Sequence, residues 1–152
     1  MTTEFVQYVR NDEYAPEGAI YIINTGIQIN GKNVISVGWS KACKQDTFIK
    51  KIGRNIAMNR AIKTKNFIID NKGMLENNLT TEHNIDTYVL GINTPNIPKI
   101  IKIDFKNVFD LAKKIFGYDD SCMFFVPNIT KNNEELLGNV GHSYTKYIKI
   151  IY

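Results

Sequence analysis

The residue types that most often carry catalysis or bind metals, histidine and cysteine, occur here only as His83, His142, Cys43 and Cys122. A metal centre gathers three or four His, Cys or carboxylate ligands at short, regular spacings. These four residues have no such spacing, so neither a metal nor any other cofactor is expected. His83 lies among Glu82, Asn84 and Asp86 and reads as a surface histidine. His142 follows Gly138-Asn139-Val140-Gly141, a flexible run able to close over a ligand. It is therefore kept as a candidate ligand-binding residue beside the plainer surface assignment. Cys122 precedes Met123-Phe124-Phe125 and reads as core, whereas Cys43 stands between Lys41 and Lys44, which would lower a thiol pKa. No local signature of a Cys–His nucleophile accompanies either cysteine. The pair Asp119-Asp120, just after Gly117, reads as a turn and not a magnesium site. Neither GxxxxGK[ST] nor GxGxxG occurs, which argues against the standard phosphate-cradling loops. With no catalytic set assembled, the expectation is a binding protein and not an enzyme.

Arginine, lysine and tryptophan carry the stronger signal. The segment Asp46–Lys63 predicts a helix over about 47–63 with Asp46 as its N-cap. On a helical wheel Phe48, Ile49, Ile52, Ile56 and Ala57 fall in one arc of about half a turn, which should face a sheet. Gly53 and Ala57 form a small ridge that permits close approach, compensating the roughly 1 kcal/mol that a mid-helix glycine costs. Arg60 falls inside the same arc, and Lys50 and Arg54 share its flank. Arg60 is either a snorkelling side chain or a planar fork that grips phosphate oxygens in pairs. Lys50 and Arg54 are either a solvated basic face or the completion of that grip. Trp39, the single tryptophan, packs in the core or stacks on a base. Trp39, Lys50, Arg54, Arg60 and His142 are thus the candidate ligand-binding residues. Asp46 opposes anion binding directly at the helix N-terminus, because its carboxylate would occupy those N–H groups.

These residues need a scaffold. Glu4–Arg10 alternates like a strand, and Ala19–Ile29 and Asn33–Ser40 flank Asn30-Gly31, the pair best suited to a tight hairpin turn. Gly26 marks a bulge or bend in the first arm. Further strands are expected at Phe67–Asp70, Thr87–Ile92, Ile100–Ile103, Ser121–Val126 and along the final Tyr144–Ile151. A second helix is expected over Phe105–Phe116, with Val108, Leu111, Ala112, Ile115 and Phe116 on its buried face and Gly117 as its stop. The predicted fold class is α+β, a mainly antiparallel sheet with two principal helices packed on it, in a single domain over residues 1–152.

Composition agrees with that architecture. The 152 residues are 43% hydrophobic and 22% charged, with a formal net charge of +4. No apolar run approaches the roughly 20 residues that span a bilayer. Met1-Thr2-Thr3-Glu4 shows no basic-then-apolar leader, so a cytoplasmic location is expected. The charge is compatible with an anionic partner but too mild to favour nucleic acid.

The strand Val34-Ile35-Ser36-Val37-Gly38-Trp39-Ser40, then Cys43, Asp46, Phe48, Lys51, Gly53-Arg54, Ile56-Ala57 and Arg60-Ala61, forms a pattern common in small phage proteins. Over about residues 30–62 it resembles the first type of Thoeris anti-defence proteins, phage sponges that sequester cyclic ADP-ribose signals. The resemblance implies a homo-oligomer in the host cytoplasm that binds an ADP-ribose-derived nucleotide near its subunit contacts without cleaving it. The alternative is a phage accessory protein that binds nucleic acid or a host protein, and a nucleotide hydrolase using His142, Cys43 or Asp119 is a third reading. Tyrosine and isoleucine along the final strand would also allow oligomerisation through strand edges.

Overall fold

A computed structural model of the chain describes residues 3–42, 47–78, 97–118, 122–127 and 147–151. Cys43, Asp46, His83, Thr87–Ile92, Asp119-Asp120 and His142 lie outside the described residues, as does the start of the expected final strand. The fold is α+β: a five-stranded, mainly antiparallel sheet carries two long helices. Strands β1 (Glu4–Arg10), β2 (Pro16–Ile29) and β3 (Lys32–Lys41) run as a meander. Helices α1 (Lys50–Asp70), the short α2 (Lys72–Asn78) and α3 (Lys99–Phe116) follow, and then β4 (Cys122–Pro127) and β5 (Tyr147–Ile151). The sheet order is β1-β2-β3-β4-β5, and only the β3–β4 pair is parallel. A parallel pair needs a long crossover, and the intervening helices supply it.

The β2–β3 hairpin closes where expected, with Asn30 and Gly31 at φ 52° and 81°. Two consecutive positive φ angles match the right-handed twist of the arms. Gly26, at φ 73°, sits where the β2–β3 register shifts between Asn24 and Gln28.

Side chains alternate between the two sheet faces. Val9, Gly18, Ile20, Ile22, Val37 and Phe124 share one face, and α3 lies on it. Phe109 stacks on Phe124 at 4.0 Å between centroids, and Phe105 stacks on Phe109 at 5.1 Å. Cys122 is buried in this core, as its neighbours suggested. Helix α1 covers the other face, where Tyr21, Ser36, Gly38 and Ser40 point.

Several expectations are corrected. Phe67–Asp70 is not a strand but the end of α1, because Thr64, Phe67 and Ile68 continue the buried stripe begun by Gly53, Ala57 and Ala61. Ile100–Ile103 is not a strand but the first turn of α3, which starts after Pro98. Ile101 falls one helical turn before Phe105 on the buried stripe, while Ile103 is 63% exposed. The helix is also rotated from its expected face: Val108 and Ala112 are buried, but Leu111 and Ile115 are substantially exposed and Phe105 and Phe109 replace them. Gly117 does end α3 in the left-handed conformation, its N–H returning to Lys114 O.

The last correction concerns how α1 meets the sheet. It begins at Lys50 with Ile49, not Asp46, as its N-cap. Ile49, Ile52 and Ile56, expected to face the sheet, are exposed, Ile52 by 53%. The packed face is the small one. A Cβ added at Gly38 would overlap the carbonyl of Ala57 and the amide of Ala61, so the strand and helix backbones meet there directly. Ser36 Oγ donates to Ala61 O at 2.6 Å and Ser40 Oγ to Gly53 O at 2.8 Å, both buried. Helical carbonyls keep a second lone pair for such donors. Phe48 occupies the space that a side chain at Gly53 would need.

Replacing Gly38 by alanine forces this contact apart against backbone atoms that cannot rotate away. Gly38→Ala should lower unfolding stability by about 3 kcal/mol, the upper end for an overpacked core, in chemical denaturation.

Candidate functional site

Seating α1 on its small residues sends its long cations outward to two different places. Lys50 Nζ lies 5.1 Å from the centroid of the Tyr8 ring, and the Arg54 guanidinium carbon lies 6.0 Å from that of Tyr21. Lys50 and Arg54, one turn apart, are both exposed. Tyr8 and Tyr21 belong to neighbouring strands and share a face, because Tyr8 pairs with Ala19 and Val6 with Tyr21. The Phe48 ring meets Tyr8 edge-on at 6.4 Å. Two cations and three aromatic rings thus form a continuous patch from the start of α1 across β2 to β1.

Arg60 goes elsewhere. Its Nη1 donates to Trp39 O at 2.8 Å, and its guanidinium carbon lies 5.6 Å from the Trp39 ring centroid. Trp39 is buried. The pair ties α1 to β3 through a charge-assisted hydrogen bond and a cation–aromatic contact. Of the sequence-derived candidates, Lys50 and Arg54 come together, Arg60 and Trp39 come together, and the two pairs are separate. His142 lies outside the described residues.

Tyr21 is the electrostatic anchor of the patch. Its phenol donates to Glu4 Oε1 at 2.6 Å. Burial, then the Glu4 hydrogen bond and the Glu4 charge, push the Tyr21 pKa up to about 12, and Arg54 acts in the opposite direction. Each cause that raises it disfavours a second negative charge in an already acidic, desolvated spot.

Two openings flank Phe48. One, of about 430 Å³, is bounded by Ser40, Lys41, Ala42, Phe48, Ile52 and Ile56. The other, of about 590 Å³, lies between Lys41, Phe48, Glu17 and the start of α3 at Lys99. Both fall in the size range of small-molecule sites. Among the described residues, no three His, Cys, Asp or Glu side chains gather closely enough to hold a metal ion. No described helix is long and apolar enough to cross a membrane.

Sequence reasoning missed Tyr8, Tyr21, Glu4 and Phe48 as parts of the patch. The four-residue spacing of Lys50 and Arg54 was visible, but which aromatic rings they would meet depends on strand register and helix rotation. No protein family, curated protein or solved structure matches the chain.

The raised Tyr21 pKa makes a testable statement about pH. A group whose folded pKa lies above its unfolded value of 10.0 adds stability below pH 10, which is lost as the pH rises toward 12. An ultraviolet absorbance titration should show a phenol ionising near pH 12. Tyr21→Phe should abolish that late step and flatten the loss of stability in the same window.

Proposed function

We propose that this protein binds a small nucleotide of the cyclic ADP-ribose type and holds it intact, acting as a phage anti-defence sponge. The observation that carries the binding part is the patch at the start of α1. Lys50 and Arg54 each lie over a tyrosine ring, exposed to solvent, and Phe48, which meets the Tyr8 ring, also lines two openings of small-molecule size. Cations held against aromatic faces keep their N–H donors free to meet phosphate, and the apolar walls of the openings at Phe48 suit a base or ribose. The Arg60–Trp39 pair supports this site by fixing how α1 sits on β3. The choice of nucleotide and the anti-defence role rest on the resemblance over residues 30–62.

A second reading has its own observation. Ile49, Ile52 and Ile56 form an exposed apolar ridge along α1, which favours a protein partner, whether a host protein or another copy of the chain.

Purified protein would be incubated with cyclic ADP-ribose isomers, freed of unbound ligand and heat-denatured, and the released material analysed by chromatography. Intact ligand is expected from the wild type. Lys50→Ala combined with Arg54→Ala should weaken capture roughly a hundredfold, the loss of two charge-assisted contacts, with no change in circular dichroism. Release of altered ligand would make the protein an enzyme. Capture of no isomer would overturn the sponge reading and leave the protein-partner reading in place.

A further inference from the structure

We infer that the outer face of α1 has a use of its own: a stripe of asparagines reads the major groove of A·T-rich B-form DNA, with the cations beside it on the phosphates. This does not rest on the nucleotide reading, and its failure would leave that reading standing.

Spread over 152 residues, a net charge of +4 is mild. The fold does not spread it. Helix α1 carries Lys50, Lys51, Arg54, Arg60, Lys63 and Lys65 against a single carboxylate, Asp70 at its end. That is a net +5 on 21 residues, so the rest of the chain together is close to neutral. Arg60 turns in to Trp39, but Lys50, Lys51, Arg54 and Lys63 are exposed and Lys65 is half-buried. Such a one-sided cluster makes a positive field that the total charge hides, and its complement is a polyanion.

The cations frame an uncharged stripe. The buried face of α1 is Gly53, Ala57, Ala61, Thr64, Phe67 and Ile68. At about 100° per residue, Asn55, Asn59 and Asn66 fall within about 40° of one another, almost diametrically opposite that face. Asn59 and Asn66 are exposed and Asn55 is half-buried. Lys51, Arg54 and Lys65 lie on one side of the stripe and Lys63 on the other. Ile52 and Ile62, both exposed, adjoin it. Asparagine is a poor helix former, and lysine or glutamate would hold the helix better at these positions. Packing on the sheet does not call for three of them on the stripe farthest from it.

Recognition of adenine does. The asparagine amide sets a donor beside an acceptor, which matches N6 and N7 of adenine in the major groove, and an adjoining isoleucine offers apolar contact to the thymine methyl. A helix about 10–12 Å across enters a groove about 12 Å wide. From Asn55 to Asn66 the axis runs about 16 Å, close to five base steps, and the flanking cations then meet the phosphate walls. A-form RNA has a major groove too narrow for side chains. A bilayer would be met first by asparagines, where an interfacial helix inserts its apolar face. Duplex DNA is the polyanion this surface fits.

The test is fluorescence anisotropy of the full-length protein with a short labelled A·T-rich duplex. Affinity should exceed that for a G·C-rich duplex of equal length at least fivefold. It should fall roughly a hundredfold between about 50 and 200 mM salt, as Lys51, Arg54, Lys63 and Lys65 release counterions. Lys51→Glu combined with Lys63→Glu should weaken binding at least tenfold and flatten the salt dependence. Asn59→Ala should at least halve the A·T preference and leave the salt dependence unchanged. These positions are exposed, and circular dichroism checks that each variant is folded. None is part of the Lys50–Arg54 patch, so nucleotide capture by these variants should match the wild type. No duplex binding at low salt would overturn the proposal. So would equal affinity for the G·C-rich duplex or for a single strand, tighter binding to phosphatidylserine vesicles, or binding that survives the double charge reversal.

Discussion

Most of this structure depends on one close approach, the seating of α1 on β3 at Gly38. With no side chain there, the Ala57 carbonyl and Ala61 reach the strand backbone. Ser36 and Ser40, on either side of Gly38, add hydroxyl bonds to helix carbonyls, so the contact is polar as well as tight. Each such bond contributes about 1 kcal/mol, and together they fix the rotation of the helix better than apolar packing alone could. A helix held on glycine, alanine and serine does not need its isoleucines for the core. Ile49, Ile52 and Ile56 are displaced outward as a consequence.

The same rotation settles where the cations go. Lys50 and Arg54 are carried to the β1–β2 side, over Tyr8 and Tyr21, while Arg60 is carried to β3 and closes on Trp39. A different rotation of α1 would scatter this arrangement even with every residue unchanged. Glu4 completes it by holding the Tyr21 phenol, which keeps the ring fixed beneath Arg54.

The two faces of the sheet are built differently. The α3 face is aromatic and thick, with Phe105, Phe109 and Phe124 stacked in series. The α1 face is thin where Gly38 lies and grows thicker toward Phe67 and Ile68. Because α1 is drawn down over β3, it reaches the β1 end of this face, among the described residues, through the long side chains of Lys50 and Arg54 and through the neighbouring Phe48. That asymmetry leaves a basic and aromatic surface beside a strand edge that no other described strand pairs, a combination that suits binding.

Much of the fold was legible in local chemistry. The Asn30-Gly31 hairpin, the αL stop at Gly117, the buried Cys122 and the α+β class all follow from backbone preference and short-range pattern, which act within a few residues. The first strands were legible for the same reason, since alternation reports a half-buried sheet directly. What the sequence could not determine was the orientation of each helix. A wheel weights large apolar side chains, so it turned α1 toward its isoleucines. The partner strand offered a glycine and two serines, and small residues let backbones approach where bulky ones cannot. Likewise Ile100–Ile103 and Phe67–Asp70 are short apolar runs that fit either period. Only burial against the sheet, at Ile101 and Ile68, made them helical. The candidate patch lay in the same gap. Its cations were visible one turn apart, but Tyr8, Tyr21 and Glu4 joined them through strand register, a long-range pairing that tertiary structure alone decides.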